Sequence, residues 1–363
     1  MKREINVAII GVGNCASSLI QGIGYYSDRV NNSKPNGLIH YDICGYKIKD
    51  IKIVSAFDVN IKKIGKKISE SIFVEPNCTK IFYRKKTLFD NKVLAGPVLD
   101  GISKRVGKLI GVHKINKSLD SWEKIIVKEL TNKKVDILIS YLPVGSKKAS
   151  RFYAECAIKA KVGFINAIPE FICSTKEGSD KFKIAGLPCA GDDIKSQVGA
   201  TILHRCLISL IDKRGEIIEN TFQLNIGGNT DFLNMKDEER LISKRISKTE
   251  AITKIVKGYE FDTKIGPSEY VPYLKDNKIC FIEINGKQFG DIPFKIEVKL
   301  SVEDSPNSAG AMVDLIRLLK VSKDRKLVGY QDFSSYYFKH PMFQYCDDHC
   351  RDMVEEFINY KTK

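Results

Sequence analysis

Residues 5–16 read INVAIIGVGNCA, and the fold is decided there. Ile5 to Ile10 is a short apolar run rich in β-branched side chains, the pattern of a strand buried on both faces. Gly11, Gly13 and Ala16 then stand at Gly-x-Gly-x-x-Ala spacing, and Leu19, Ile20 and Ile23 recur at helical spacing. Strand, glycine turn and helix in that order form the dinucleotide-binding fingerprint in its proper context. Gly11 permits the tight turn, Gly13 lets the backbone approach a pyrophosphate, and Ala16 lets the helix pack on the strand. With Asn14 and Cys15, the helix start offers unpaired N–H groups to phosphates.

Ile51 to Val59 reads as a second strand that carries Asp58 at its end. A carboxylate there holds the adenosine ribose hydroxyls and repels the extra phosphate of NADP, so the cofactor expected is NAD. Val135 to Leu142 and Val162 to Ile168 are further strands, with a helix near 149–160 between them. Ser140, Leu142 and Pro143 therefore fall at a strand end, where such sheets line the cofactor crevice. Two stretches, 26–50 (with Asn31, Asn32 and Pro35) and 74–118, lack clear periodicity and read as insertions that cover or build a site.

The pattern changes after Gly215. Residues 217–226 read as a strand, 236–257 as a charged helix, and 279–302 as a hairpin turning at Asn285-Gly286. Asp304 to Ser308 reads as a break with a helix cap, followed by a helix over 309–320. The fold expected is α/β: a Rossmann-like doubly wound parallel sheet with a second α+β domain carrying a large sheet. Its domains are 1–200 for the cofactor, 201–305 for catalysis and oligomerisation, and 306–363 as helices returning to the first domain.

Composition narrows the classes. No run of about 18 apolar residues exists to span a membrane. The net charge of +15 comes mostly from lysines spread along the whole chain. With no dense basic run interleaved with aromatics, it reads as a solvated surface plus a phosphate pocket, not a nucleic-acid interface. The ten cysteines read as reduced thiols of a cytoplasmic protein. Cys346, His349 and Cys350 cluster without a fourth ligand at zinc spacing, so they read as a helix start.

Six ordered motifs carry a resemblance: VAIIGVGNCASSLIQGIGYY (7–26), SYLPVGS (140–146), GDDIKSQVGA (191–200), LNIGGNTDFLNM (224–235), SKRISKTEA (243–251) and EDSPNSAG (303–310). Together they closely resemble the shorter prokaryotic type of myo-inositol-1-phosphate synthase, from about residue 5 to about residue 345. That resemblance implies isomerisation of glucose 6-phosphate to inositol 1-phosphate. NAD would oxidise C5, the enolate would close the ring, and the hydride would return. It also implies a homotetramer formed through the central β-rich domain. Some members of the family use a divalent or monovalent cation, but no ligand cluster here specifies one.

The same resemblance places catalytic lysines at Lys244, Lys248 and Lys339. A spacing of four puts Lys244 and Lys248 on one face of a continuous helix. Ser247-x-x-Glu250 is also a capping box, which would start the helix at Ser247 and leave Lys244 outside it. A further family lysine is missing from Ile265 to Glu269, and Lys275 or Lys278 is the candidate to supply its charge. Asp192 and Asp193, with Lys195 and Ser196, sit at an expected helix start. There Asp192 and Ser196 would meet the cofactor, and Asp193 with Lys195 would relay the C5 proton. Asn225, Gly228, Asn229, Asp231 and Asp304 are the polar candidates for phosphate and sugar hydroxyls. The alternative is a dehydrogenase or reductase acting on a phosphorylated small molecule, and beyond enzymes an NAD-sensing or nucleic-acid-binding protein.

Overall fold

The computed structural model describes residues 3–29, 36–84, 89–236 and 242–360. Residues 30–35, which include Asn31, Asn32 and Pro35, and residues 237–241 of the expected charged helix lie outside that set.

The strands of the first sheet are β1 (Ile5–Ile10), β2 (Ile51–Asp58), β3 (Val93–Ala95), β4 (Ile137–Ser140), β5 (Gly163–Asn166) and β6 (Pro188–Ala190). Strands β7 (Ile217–Gly227), β8 (Asp262–Tyr270), β9 (Asn277–Gln288) and β10 (Ile292–Glu303) form the second sheet, and β11 (Gly329–Tyr330) returns to the first. The first sheet runs β11-β6-β5-β4-β1-β2-β3. Its strands pair parallel throughout. The order reverses between β1 and β4, which opens a crevice at their C-terminal ends.

Alternation along β1 explains the layers. Ile5, Val7 and Ile9 enter one core with α1 (Asn14–Asp28), while Ala8 and Ile10 enter the other. A parallel strand covered on both faces needs apolar side chains pointing both ways. Of the helices in the first 200 residues, α2 (Ile68–Ser71) and α3 (Lys104–Ile110) lie within the stretch 74–118 or just before it. That stretch is therefore partly ordered into β3 and α3. Helices α4 (Leu119–Asn132), α5 (Lys147–Lys159) and α6 (Lys176–Ile184) cover the sheet on the Ala8–Ile10 side, opposite α1.

The second sheet, ordered β10-β9-β7-β8, is mixed, with β8 parallel to β7. Helix α7 (Ala200–Lys213) and α9 (Ile242–Thr253) cover it through Ile208, Ile211 and Ile252, while α8 (Thr230–Asn234) follows β7. The hairpin does not turn at Asn285-Gly286 as the sequence pattern suggests. β9 runs through both residues, and Gly286 lies opposite Phe294 and Ile218. A Cβ at Gly286 would come within 2.3 Å of the Ile217 carbonyl oxygen, so glycine serves close approach there. The chain reverses at Gly290 and Asp291 instead, both at positive φ.

Helix α10 (Asp304–Asp324) also starts earlier than expected. Asp304 to Ser308 is its first turn rather than a break. Pro306 is tolerated there because its missing N–H has no intrahelical acceptor in any case. Leu315, Ile316, Leu318 and Leu319 bury α10 against α1 and the first sheet. Short α11 (Ser334–Tyr337) and α12 (Asp347–Asn359) complete the chain, with Cys346 just before α12. Among the described residues no helix is long and apolar enough to cross a membrane, and no His/Cys/Asp/Glu group is arranged to hold a metal.

Candidate active site

One cleft runs from the glycine turn to the second sheet. At its first end, Gly11 has φ 87°, and a Cβ there would stand 2.7 Å from the Tyr141 carbonyl oxygen. Glycine is therefore required on both conformational and steric grounds. Gly13 precedes α1 with open space above it, and the first turn of α1 carries no acidic residue. The free N–H groups of that turn thus face the cleft uncapped, as a diphosphate requires. Ala16 is buried in the core beneath.

Asp58 lines the cleft and accepts from Val12 N at 2.8 Å and Asn60 N at 2.8 Å. Asn14 holds the turn to the next segment by accepting from Cys78 N at 2.8 Å. Burial pushes the Cys15 thiol up to about 12, so it is a neutral packing group against Ser305 and Ser308. Leu142, Pro143 and Ser196 line the cleft, but Ser140 is fully buried behind the wall.

Four lysines and three carboxylates meet at the other end. α9 is continuous from Ile242, so Lys244 and Lys248 share a face on successive turns. The capping-box reading fails because Ser247 is inside the helix. Its hydroxyl donates to Asp193 instead of capping. Lys244 Nζ pairs with Asp231 Oδ2 at 2.6 Å, Lys339 Nζ with Asp193 Oδ1 at 2.8 Å, and Lys278 with Asp304. Burial works against these charges, but the opposing partners win. Asp193 is held below its usual range by Lys339 and Lys244, Asp304 by Lys278 and Lys244, and Lys244 is raised by Asp231 and Asp193.

Lys248 differs from its neighbours. Among the described residues no carboxylate pairs with it. The enclosing cleft, with Lys244, Lys339 and Lys278 nearby, pulls its ammonium down to about 7. Lys248 is thus poised between amine and ammonium near neutral pH.

Several predicted residues fall elsewhere. The strap 191–199 precedes α7, so Asp192 and Asp193 do not stand at a helix start. Asp192 is fully buried and accepts from Ile172 N, Ser174 N, Ser174 Oγ and Asn166 Nδ2, which makes it a loop anchor. Lys195 leaves the cleft and donates to the Ser335 carbonyl at 2.9 Å, beside Asp347. The backbone bridge between Ile194 and Phe338 sets Lys339, not Lys195, beside Asp193. Burial lowers Lys195 to about 8, but it is buried away from the cleft.

Asn225 lines the cleft, nearly fully buried, and its amide nitrogen has no partner among the described residues. Asn229 caps α8 through Oδ1 and donates to Asp276. Gly228 packs under the 271–275 turn, where a Cβ would stand 2.4 Å from the Val271 carbonyl oxygen. Lys275 is exposed on that turn at φ 52°, so of the two lysine candidates only Lys278 enters the cleft.

Three contributors escaped the sequence reading: Ser247, Asp276 and Lys63. Burial next to Asp304 raises the Asp276 carboxyl to about 6 while it holds Asn229 and Ser305. A signal existed only for Lys63, a lysine shortly after the strand-end aspartate.

Fold and cleft together define a class: a Rossmann-like α/β protein whose glycine-turn cleft ends in a lysine–aspartate cluster. A family model described as "Myo-inositol-1-phosphate synthase" matches residues 199–305, the stretch that brings most of that cluster. The chain is 48% identical over 360 residues to the inositol-3-phosphate synthase of Mycobacterium tuberculosis, covering 98% of this chain and 96% of that protein. It is 46% identical over 363 residues to that of Mycolicibacterium smegmatis, covering 98% of each. In three dimensions it resembles a myo-inositol-1-phosphate synthase-related protein from Thermotoga maritima, with TM-score 0.82 and 25% identity over 99% of this chain and 100% of that one. The chain belongs to the inositol-3-phosphate synthase family.

Proposed function

We propose that this enzyme binds NAD in the cleft and converts glucose 6-phosphate to an inositol monophosphate without net redox change. One observation carries the reading: a lysine with no carboxylate paired to it among the described residues stands among three ion-paired lysines, in the same cleft as the glycine turn. The Gly11–Ala16 turn and α1 would hold the diphosphate, and Asp58 the ribose hydroxyls. When bound, NAD⁺ supplies the acceptor for the C5 hydride of the open-chain sugar and gives that hydride back at the end.

Every other step belongs to the chain's own groups. The Asp193–Lys339 pair takes the C5 hydroxyl proton as that carbon is oxidised and returns it after ring closure. Lys248 as the neutral amine removes a proton from C6, which the C5 ketone acidifies. The resulting C6 carbanion equivalent bonds to the C1 aldehyde, and Lys248 in its ammonium form protonates the C1 oxygen. Lys244, kept charged by Asp231 and Asp193, and Lys278, paired with Asp304, stabilise the negative charge that moves between the C5 and C1 oxygens and neutralise the phosphate. The buried amide nitrogen of Asn225 is a donor for one sugar or phosphate oxygen.

The resemblance to the family implies a homotetramer through the second sheet. Leu224 and Phe281, opposite each other on one face of that sheet and both exposed, support it.

Incubation with excess glucose 6-phosphate and a trace of NAD⁺ tests the reading. Inositol monophosphate should accumulate well beyond the NAD supplied, with no rise in absorbance from NADH. Stoichiometric NADH with no cyclic product would instead show a dehydrogenase.

A further inference from the structure

Among the described residues, Lys63 is the one lysine at the cofactor end of the cleft that has no task in the proposed reaction. It lies in the loop after β2, only 3% exposed, and lines the cleft. Its ammonium donates to the Val12 carbonyl at 2.6 Å and to Asn77 Oδ1 at 2.9 Å. Asn77 in turn donates to the same carbonyl at 3.1 Å and to the Ile72 carbonyl at 3.0 Å. An ammonium has three donors, and among the described residues the third has no partner, with Asp58 acting on it only through space. The neighbouring Asn60 is 1% exposed, lines the cleft and also leaves its amide nitrogen without a partner.

A buried cation is costly when the nearest carboxylate, Asp58, is out of ion-pair reach and already accepts from the Val12 and Asn60 N–H groups. The cost is recovered if an anion enters. Lys63 grips the carbonyl of Val12, while Asp58 takes the N–H of the same residue. The ammonium is therefore one peptide away from Gly13, where open space stands above the uncapped start of α1. At that range a charge acts strongly through a low-dielectric wall, with or without direct contact.

Resting on the NAD reading, we propose that Lys63 is the cation that recognises the diphosphate of the dinucleotide. Asp58 then recognises the ribose, and Lys63 balances the repulsion that the Asp58 carboxylate would exert on the phosphates. The two residues divide the ADP half between them: one charge reads hydroxyls, the other reads anions. Burial lowers the lysine's proton affinity against the pull of Asp58, and an entering diphosphate restores it.

The test measures dissociation constants of NAD⁺, ADP-ribose and adenosine for the wild type, Lys63→Met and Lys63→Arg by calorimetry or ligand-observed NMR. Lys63→Met should weaken NAD⁺ and ADP-ribose by roughly 10- to 100-fold, the scale of one charge-assisted hydrogen bond. Adenosine, which keeps the ribose and lacks phosphate, should bind the Met variant as it binds the wild type. Lys63→Arg should restore most of the ADP-ribose affinity. The ligand-free Met variant should melt no earlier than the wild type, since Val12 keeps its bond to Asn77. Unchanged ADP-ribose affinity in Lys63→Met overturns the proposal. So does an equal loss for adenosine, or a Met variant that fails to fold, since each makes Lys63 a structural clamp. A wild type that binds neither NAD⁺ nor ADP-ribose overturns the cofactor reading itself.

Discussion

Replacing Lys248 by Met should abolish turnover while leaving NAD⁺ bound. The loss expected is at least about a thousandfold in kcat, within the range of a lost general acid–base group. NAD⁺ affinity should change by less than about threefold, under ~0.7 kcal/mol, because Lys248 sits at the far end of the cleft from the glycine turn. The pH profile gives the finer signature. With its ammonium pulled down to about 7, Lys248 is a base only above that pH. The kcat/KM of the wild type should rise with pH through about 7, and that limb should vanish from the residual activity of the variant. Lys248→Arg keeps the charge but cannot give up a proton, so it should not rescue turnover. A rescue by Arg would make Lys248 an electrostatic group only.

Asp193→Asn carries the second large effect. Asp193 is 3% exposed and holds both Lys339 and the Ser247 hydroxyl. Neutralising it leaves the Lys339 ammonium with neutral acceptors only, the Ile194 carbonyl and an amide oxygen, in place of a carboxylate. Removing one member of a buried pair costs about 3–5 kcal/mol of stability. Turnover should fall by about two to four orders of magnitude, because the C5 proton loses its relay. The pH sign follows from the pair. Lys339 and Lys244 hold Asp193 below its ordinary 3.8, so its stabilisation is present above that pH and lost as the pH falls through the lowered value. At neutral pH the Asn variant should melt lower than the wild type. The gap should narrow as the pH falls below 3.8 through that lowered value, measured by circular dichroism at neutral and acid pH. An Asn variant with near-wild-type kcat would remove the pair from the mechanism.

The first sheet is legible because a parallel strand must be largely apolar on both faces, and INVAII and ILIS are so apart from Asn6 and Ser140. The glycine turn is legible because only Gly tolerates the φ and the Tyr141 contact at position 11. The lysine cluster is legible only through the family motifs, since its members come from β9, α9 and the segment after α11. Lys195 was misplaced for a physical reason. The pairing assumes a helix start at 192–196, but α7 begins only at Ala200, and Asp193 at φ 63° turns the chain between the two side chains. Its true partner, Lys339, arrives by a bridge between Ile194 and Phe338 that no local pattern encodes. Ser247 misled for a related reason. A Ser-x-x-Glu pattern caps only where the serine is non-helical, and here tertiary bonds to Asp193 keep it inside the helix. Lys278 could be separated from Lys275 only once the turn at 271–275 was seen to point Lys275 outward.

The central claim is that a hydride is borrowed from C5 and given back to the same carbon. Glucose 6-phosphate deuterated at C5 tests it in one measurement, read by NMR and mass spectrometry of the inositol phosphate formed. Full retention of deuterium at the carbon derived from C5, with no deuterium in water or in released NADH, is the predicted result. Protium at that carbon would contradict the account.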